Sequence, residues 1–481
     1  MSFTATRAES PFELSAAAVA LLGERVEAAV ERSRRDRAPA LAAVTVPLPA
    51  DLDLSAAVLR ARRPDDRYFC FEQPDRDGFV LAGLGSAIAL ESRGAGRFRE
   101  VAVRARDLGR RAFVDDAARD DGRPTAAGPV FVGGFAFAED GGGTPEWSSL
   151  APASLVLPEI SVARHRGEAR LTVSVVVRPD RAHRLNEVIL RLEQLAPATM
   201  PLIDPDPVHR TRVASAAPPA HYEQAVERAV ERIRAGELQK VVLAREVRAH
   251  AAVAHDPGAV VGALRDAFPA CFCWCVGTPE LAFVGASPEL LVRRDGARAQ
   301  TVALAGTTRR SADPAVDDHL GEQLLRSVKD REEQTIVVRR IERTLEPVSI
   351  WVTASDEPVL VKVQNVQHLA TPIRAQLADP LPAVELAGML LPTPAVGGEP
   401  RAAALPLIPA LEGLDRGWYA GAVGWTDLSE DGEFCVALRC ALLRGQIAHL
   451  YAGCGIVRDS VPAEELAESE VKLEALLPLL S

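Results

Sequence analysis

Residues 239–247 read Gln239-Lys240-Val241-Val242-Leu243-Ala244-Arg245-Glu246-Val247. A strand alternates its faces, so Lys240 shares a side with Val242 and Ala244, unusual company for an ammonium group. Just upstream, Tyr222, Ala225, Val226, Val230 and Ile233 fall at helical spacing, and Gly236 stands where a helix would stop. The alternation of helix and strand extends both ways. Toward the N-terminus the pattern predicts a helix over 14–35 and strands over 67–71, 78–84, 130–137 and 171–177. Gly141, Gly142 and Gly143 mark a mobile loop. Toward the C-terminus it predicts a strand running into a turn within 282–291, strands over 433–443 and 450–457, and helices over 327–345 and 461–479. Residues 203–220 are rich in Pro, Ala and Asp without a period, which places a boundary or long connection there. The expected division is an N-terminal α/β portion, 1–215, packing on a catalytic portion, 216–481.

With 481 residues, 48% apolar and 25% charged, the chain can bury a large core in one or two domains. A formal net charge of −11 argues against nucleic acid or a membrane surface as the main partner, so an anionic substrate would need local cations or a metal. No segment reaches the ~18 apolar residues of a membrane span, and the first thirty lack the organisation of a signal peptide. The seven cysteines are odd in number, lie in apolar surroundings and show no CxxC spacing, which fits a reducing compartment. A cytoplasmic protein is expected. Cys271, Cys273 and Cys275 alternate on one strand face, which suits buried core better than tetrahedral zinc.

Lys240 has two readings. It either reaches for solvent or acts as a neutral general base, which requires lowering its pKa from ~10.4 toward 7 at a cost of roughly 4 kcal/mol. Glu289 follows Gly285-Ala286-Ser287-Pro288, read as a turn, and precedes Leu290 and Leu291. Apolar surroundings would raise its pKa as a general acid needs, while the alternative is a carboxylate held by backbone amides. Two helices carry the same carboxylate spacing. Asp330 and Glu333 lie three apart in one, Glu465 and Glu468 in the other, with Lys472 a further turn along. Such pairs are either solvated faces or, taken together, hard oxygen donors suited to Mg²⁺. Between them, Arg439 is placed on a strand face with Cys435, Ala437 and Ala441, where a guanidinium could grip a carboxylate. Gly453 and Gly455 would let backbone amides approach a ligand closely.

The order of short runs goes further than any one of them. Lys240-Val241-Val242-Leu243-Ala244-Arg245, Gly285-Ala286-Ser287-Pro288-Glu289, Leu304-Ala305-Gly306-Thr307, Lys329-Asp330-Arg331-Glu332-Glu333, Gln367-His368-Leu369-Ala370-Thr371-Pro372, Pro392-Thr393-Pro394-Ala395-Val396-Gly397-Gly398, Arg416-Gly417-Trp418-Tyr419-Ala420-Gly421 and Ala452-Gly453-Cys454-Gly455-Ile456-Val457 occur in succession. This series resembles the chorismate-utilising enzymes, and among them the isochorismate synthases. The resemblance is dense over residues 220–475 and looser before Pro218.

The resemblance implies an α+β fold in which two stacked, mostly antiparallel β-sheets form a core sandwich with helices outside and the site in a cleft. It implies that Lys240 activates a water that attacks C2 of chorismate while Glu289 protonates the leaving C4 hydroxyl. Glu333 and Glu468 match the family's Mg²⁺ ligands, and Asp330 and Glu465 match outer or water-mediated ones. Arg439 and Tyr419 match residues holding the enolpyruvyl carboxylate, helped by the amides around Gly453 and Gly455. Thr307 would lie near the hydroxyl end, His368 along the substrate wall and Lys472 beside the metal carboxylates. Relatives that use ammonia from a glutamine amidotransferase usually lack the lysine or carry a nucleophilic lysine where Ala305 stands. Water is therefore the implied nucleophile, with no amidotransferase subunit, and a monomer is expected. Salicylate synthase, which goes on to eliminate pyruvate, is the runner-up, although the run from His368 to Pro372 resembles the isochorismate synthases. A non-catalytic chorismate-binding protein is the alternative from another class. Gln334 departs from the pattern, because many relatives carry histidine there, and it bears on how Glu333 is oriented.

Overall fold

Period-two burial organises the fold. The computed structural model describes residues 10–115, 125–204 and 211–480; within the connection read at 203–220, residues 205–210 lie outside it. Along the strand Phe272–Gly277, Phe272, Trp274 and Val276 enter one apolar core, while Cys273 and Cys275 enter a second core with Val260, Val261 and Leu264 of the helix Pro257–Ala267. Among the described residues, a thirteen-stranded and a ten-stranded sheet stack on the first core. Phe79 of the larger sheet stacks on Trp425 of the smaller, with ring centroids 6.5 Å apart. The described strand pairs are antiparallel apart from Ala40–Leu48 with Ala112–Phe113. The architecture is the α+β sandwich that the resemblance implies. All seven cysteines are buried and unpaired.

Strands from both sides of residue 215 enter both sheets, so the N-terminal portion is interleaved with the rest. The short strand Arg212–Ser215, inside the expected connection, pairs with Lys240–His250 at the edge of the larger sheet. The helix expected at 14–35 spans Ala16–Asp36, and the one before Gly236 spans Pro219–Arg234. Gly236 takes φ +79°, as its place after the helix requires.

Several local readings need correction. Residues 433–443 are not one strand. Gly432–Val436 belongs to the smaller sheet and Cys440–Arg444 to the larger, and between them Arg439 adopts φ +49°, so it does not share a strand face with Cys435, Ala437 and Ala441. Gly285 and Ala286 are likewise strand rather than turn: Ala282–Ser287 runs in the larger sheet, and the chain crosses at Pro288-Glu289 to Leu290–Asp295 in the smaller. The C-terminal helix stops at Leu473 and a separate turn follows at Leu477–Leu480, where Pro478 supplies no N–H to continue the first. The loop at Gly141–Gly143 is tied down. Asp415 accepts hydrogen bonds from the amides of Gly142 (3.0 Å) and Thr144 (3.1 Å).

Candidate active site

The two crossings create the site. Ala282–Ser287 pairs with Cys440–Arg444 in one sheet and Leu290–Asp295 with Gly432–Val436 in the other, so both chains change sheets side by side. The Ala286 amide donates to the Arg439 carbonyl (3.0 Å) and the Val436 amide to the Glu289 carbonyl (3.0 Å), which locks the two corners together. Glu289 and Arg439 therefore both line one cleft. A period-two reading of residues 433–443 cannot find this, because the chain leaves its strand at the functional residue.

Opposite residues on paired strands project to the same side. Val242 faces Gly455 and Ala244 faces Gly453 on Ile447–Ile456, so Lys240, Val242 and the two glycines share the cleft face. Lys240 is fully enclosed and lies behind the open surface of the cleft, where its ammonium meets Glu333 Oε1 at 2.7 Å. A Cβ at Gly455 would stand 2.6 Å from that Glu333 oxygen and 2.9 Å from Lys240 Cε. Glycine is what allows lysine and carboxylate to meet across the strand. Gly455→Ala is expected to lower turnover on the order of 100-fold by displacing this pair, with the melting temperature within a few degrees of the parent; steady-state rates and thermal unfolding check it.

The helix Val328–Leu345 is capped by Ser327, whose Oγ accepts from the Asp330 amide at 3.3 Å. Gln334 is buried and donates to the Ala303 carbonyl (3.0 Å) and Thr371 Oγ1 (2.8 Å), so it points into the smaller sheet and away from the carboxylates. That anchorage leaves Asp330 and Glu333 facing the cleft. On the adjacent strand Arg298–Arg309, Gly306 (φ +72°) forms a bulge between Ala305 and Thr307, and a Cβ there would press on Asp330 Cβ at 3.0 Å. The bulge re-aims Thr307, whose Oγ1 lies 3.0 Å from His368 Nδ1.

Glu465 and Glu468 enter from the helix Pro462–Leu473. Lys472 meets Glu468 at 2.6 Å and donates to the Gly453 carbonyl at 2.9 Å, while Lys329 reaches Glu465 at 3.5 Å. Burial, with neighbouring carboxylates adding to it, raises the pKa of Asp330 and of Glu465. Burial works against the Glu468 carboxylate too, but Lys472, with Lys329 and Arg439 adding to it, holds that pKa below the ordinary value.

Glu289 is 2% exposed, and burial pushes its pKa up to about 8 against the opposing pull of Lys240 and Arg439. Burial, then the charges of Arg439 and Lys472, drives the His368 pKa well down, so the ring is neutral. Arg439 Nη2 donates to His368 Nε2 (3.3 Å), which assigns the proton to Nδ1, facing the Gly306 carbonyl and Thr307. The enclosed Nε of Arg439 and hydroxyl of Tyr451 have no hydrogen-bond partner among the described residues. Buried donors of this kind await an acceptor.

All thirteen residues singled out in the sequence thus converge. Lys240 stands just behind the wall, and the other twelve line it. Three wall or supporting residues had been passed over. Lys329 stood beside Asp330 in the sequence. Tyr451, stacked on Tyr419 at 5.2 Å, shares the strand parity of Gly453 and Gly455 and was open to the same argument. Arg416 heads the run from Arg416 to Gly421, yet nothing local gives it a role. It is buried, donates to the carbonyls of Val242 (2.9 Å) and Val396 (2.8 Å), and lies 4.4 Å from the Phe137 ring, while its partner Glu412 accepts from the Ala244 amide (2.6 Å).

Comparison with known proteins agrees with this geometry. Residues 26–481 match the family described as "Chorismate binding enzyme". The "Salicylate biosynthesis isochorismate synthase" of Pseudomonas aeruginosa is 39% identical over 416 residues, 85% of this chain and 84% of that protein. The "Isochorismate synthase MenF" of Bacillus subtilis is 31% identical over 430 residues, 87% of this chain and 89% of its own length. Among solved structures, MenF of Escherichia coli, titled a menaquinone-specific isochorismate synthase, superposes with a TM-score of 0.77 at 28% identity, over 95% of this chain and all of that one. With a family match across nearly its whole length and relatives above 30% identity over more than two thirds of it, the chain belongs to the chorismate binding enzyme family.

Proposed function

We propose that this chain is an isochorismate synthase, converting chorismate to isochorismate for menaquinone or siderophore synthesis. The observation that carries the reading is one cleft in which an enclosed lysine and an enclosed carboxyl with a pKa of about 8 meet the carboxylates of two helices and an arginine with an unpartnered donor. Lys240, once it has parted from Glu333 and given up a proton to solvent, is a neutral amine that takes a proton from the water that attacks C2. Glu289, protonated at neutral pH, gives its proton to the departing C4 hydroxyl. One water is gained and one lost, so product and substrate are isomers. Arg439 and Tyr419 hold the enolpyruvyl carboxylate, and the strand at Gly453 and Gly455 admits the substrate close to the backbone. Thr307 and neutral His368 border the ring, and Lys472 supports Glu468.

Four carboxylates from two helices, two of them with raised pKa, line the cleft and offer hard oxygen donors that suit Mg²⁺. Glu333 and Glu468 are proposed as direct ligands, with Asp330 and Glu465 acting through water. When bound, the ion would clamp the ring carboxylate and screen charge near the reaction. The described part of residues 1–215 supports the site without lining it: Trp147 stacks on Tyr451 at 5.8 Å, and Phe137 packs on Arg416. No described helix is long and apolar enough to cross a membrane. A cytoplasmic monomer without an amidotransferase subunit is part of the same proposal.

The test is incubation with chorismate and Mg²⁺, with and without ammonium, resolved by liquid chromatography with mass detection. The expected product is a peak isomeric with chorismate, independent of ammonium and abolished by chelation. Glu468→Gln should raise the Mg²⁺ concentration for half-maximal rate by on the order of tenfold or more. Salicylate plus pyruvate as the main product would transfer the assignment to the lyase, and a requirement for ammonium would overturn the role of Lys240.

A further inference from the structure

The four carboxylates proposed for the metal are not bare. Three of them already meet an ammonium: Lys240 lies 2.7 Å from Glu333, Lys472 2.6 Å from Glu468 and Lys329 3.5 Å from Glu465. The first two lysines are fixed in place. Lys240 is fully enclosed, and Lys472, with its side chain 10% exposed, also donates to the Gly453 carbonyl at 2.9 Å. Lys329 is different, because its side chain is 44% exposed and its contact with Glu465 is the longest of the three. A long side chain with a solvated head can exchange a carboxylate for water at little cost.

Lys329 stands in the first turn of the helix Val328–Leu345, beside Asp330 and one turn before Glu333, and it lines the cleft. Glu465 belongs to the other carboxylate helix, Pro462–Leu473, so the pair spans the cleft from one helix to the other. Burial opposes the charge on Lys329, while Glu465, Glu468, Asp330 and Glu333 together raise its pKa, so the ammonium stays charged in the field of all four. The helix gains nothing from it, since a positive charge in the first turn opposes the helix dipole.

We propose that Lys329 is a positioning residue that competes with the metal for Glu465, tying the two carboxylate helices together across the cleft and weakening metal binding until its side chain turns out to solvent. This rests on the reading of the four carboxylates as the Mg²⁺ site. A cation that already balances part of their charge leaves less attraction for a second one, so the affinity for the ion is set by Lys329 as well as by the carboxylates.

The test is calorimetric titration of the full chain with Mg²⁺ alone, in the parent and in Lys329→Met, Lys329→Arg and Glu468→Gln, with thermal unfolding as the check on folding. Methionine is a long, unbranched side chain that suits a helix, so Lys329→Met should fold as the parent does. Lys329→Met is expected to bind Mg²⁺ roughly tenfold more tightly than the parent, and the gap should narrow as ionic strength rises, because the lysine head is partly solvated. Lys329→Arg keeps the charge and should stay near the parent. Unchanged or weaker binding by Lys329→Met, alongside weakened binding by Glu468→Gln, overturns the proposal alone. A gap indifferent to salt, or a Lys329→Arg that binds as tightly as Lys329→Met, would mean that the charge is not the cause and overturns it as well. If Glu468→Gln binds Mg²⁺ as the parent does, the metal assignment beneath the proposal fails and takes the proposal with it.

Discussion

Replacing Lys240 by alanine is expected to lower kcat by roughly 10²- to 10⁴-fold, the range general acid–base groups supply. The reason is positional. Lys240 is fully enclosed, its ammonium meets Glu333 at 2.7 Å, and Gly455 clears the space in which they meet. No other lysine shares that place: Lys472 is committed to Glu468 and the Gly453 carbonyl, and Lys329 reaches Glu465. Chorismate binding, read by calorimetry on the same variant, should persist, because the groups proposed to hold the carboxylate remain. Wild-type turnover in Lys240→Ala would overturn the role given to Lys240, and an absence of turnover in the parent would defeat the enzymatic reading in favour of a protein that only binds chorismate.

The second large effect belongs to Glu289. Its pKa of about 8 means that it holds its proton through neutral pH and gives it up above that point. The rate should therefore fall on the alkaline side with a midpoint near 8, and Glu289→Gln should lower kcat by about 10²- to 10⁴-fold and abolish that limb. The same shift acts on stability with a definite sign. The ordinary value is 4.5, so between 4.5 and about 8 the folded protein binds the proton more tightly than the unfolded chain. Stability contributed by this group is complete below 4.5 and is lost as pH rises through about 8. Glu289→Gln, which carries no charge to bury, should melt higher than the parent at alkaline pH while being nearly inactive. Equal melting temperatures above pH 8 would mean that the carboxylate is better solvated than its burial implies.

Arg439 shows how far the sequence could be read and where it stopped. Residue type and the surrounding runs identified it, yet the strand proposed to carry it does not exist as one element. The chain passes from the smaller sheet to the larger at that residue, with φ +49°. Gln334 is the converse case. From its place next to Glu333 it bore on the metal carboxylates, whereas its side chain is spent on Ala303 and Thr371. Helical neighbours differ by about 100° in direction, so adjacency in the chain is separation in space.

By itself the sequence determined the elements whose geometry is local. The helix Ala16–Asp36, the Gly236 stop, the alternation of Phe272–Gly277 and the i, i+3 carboxylate pairs follow from periods of 3.6 and 2 that every residue carries with it. Only the tertiary structure decided what depends on distant chain segments meeting. It paired the crossing at Pro288-Glu289 with the one at Arg439, aimed Gln334 inward, set Arg416 beneath three parts of the cleft wall, and enclosed Glu289 so that it keeps a proton at neutral pH. Burial and the charges that act on a group belong to the packed molecule, because desolvation is imposed by neighbours that sequence order does not name.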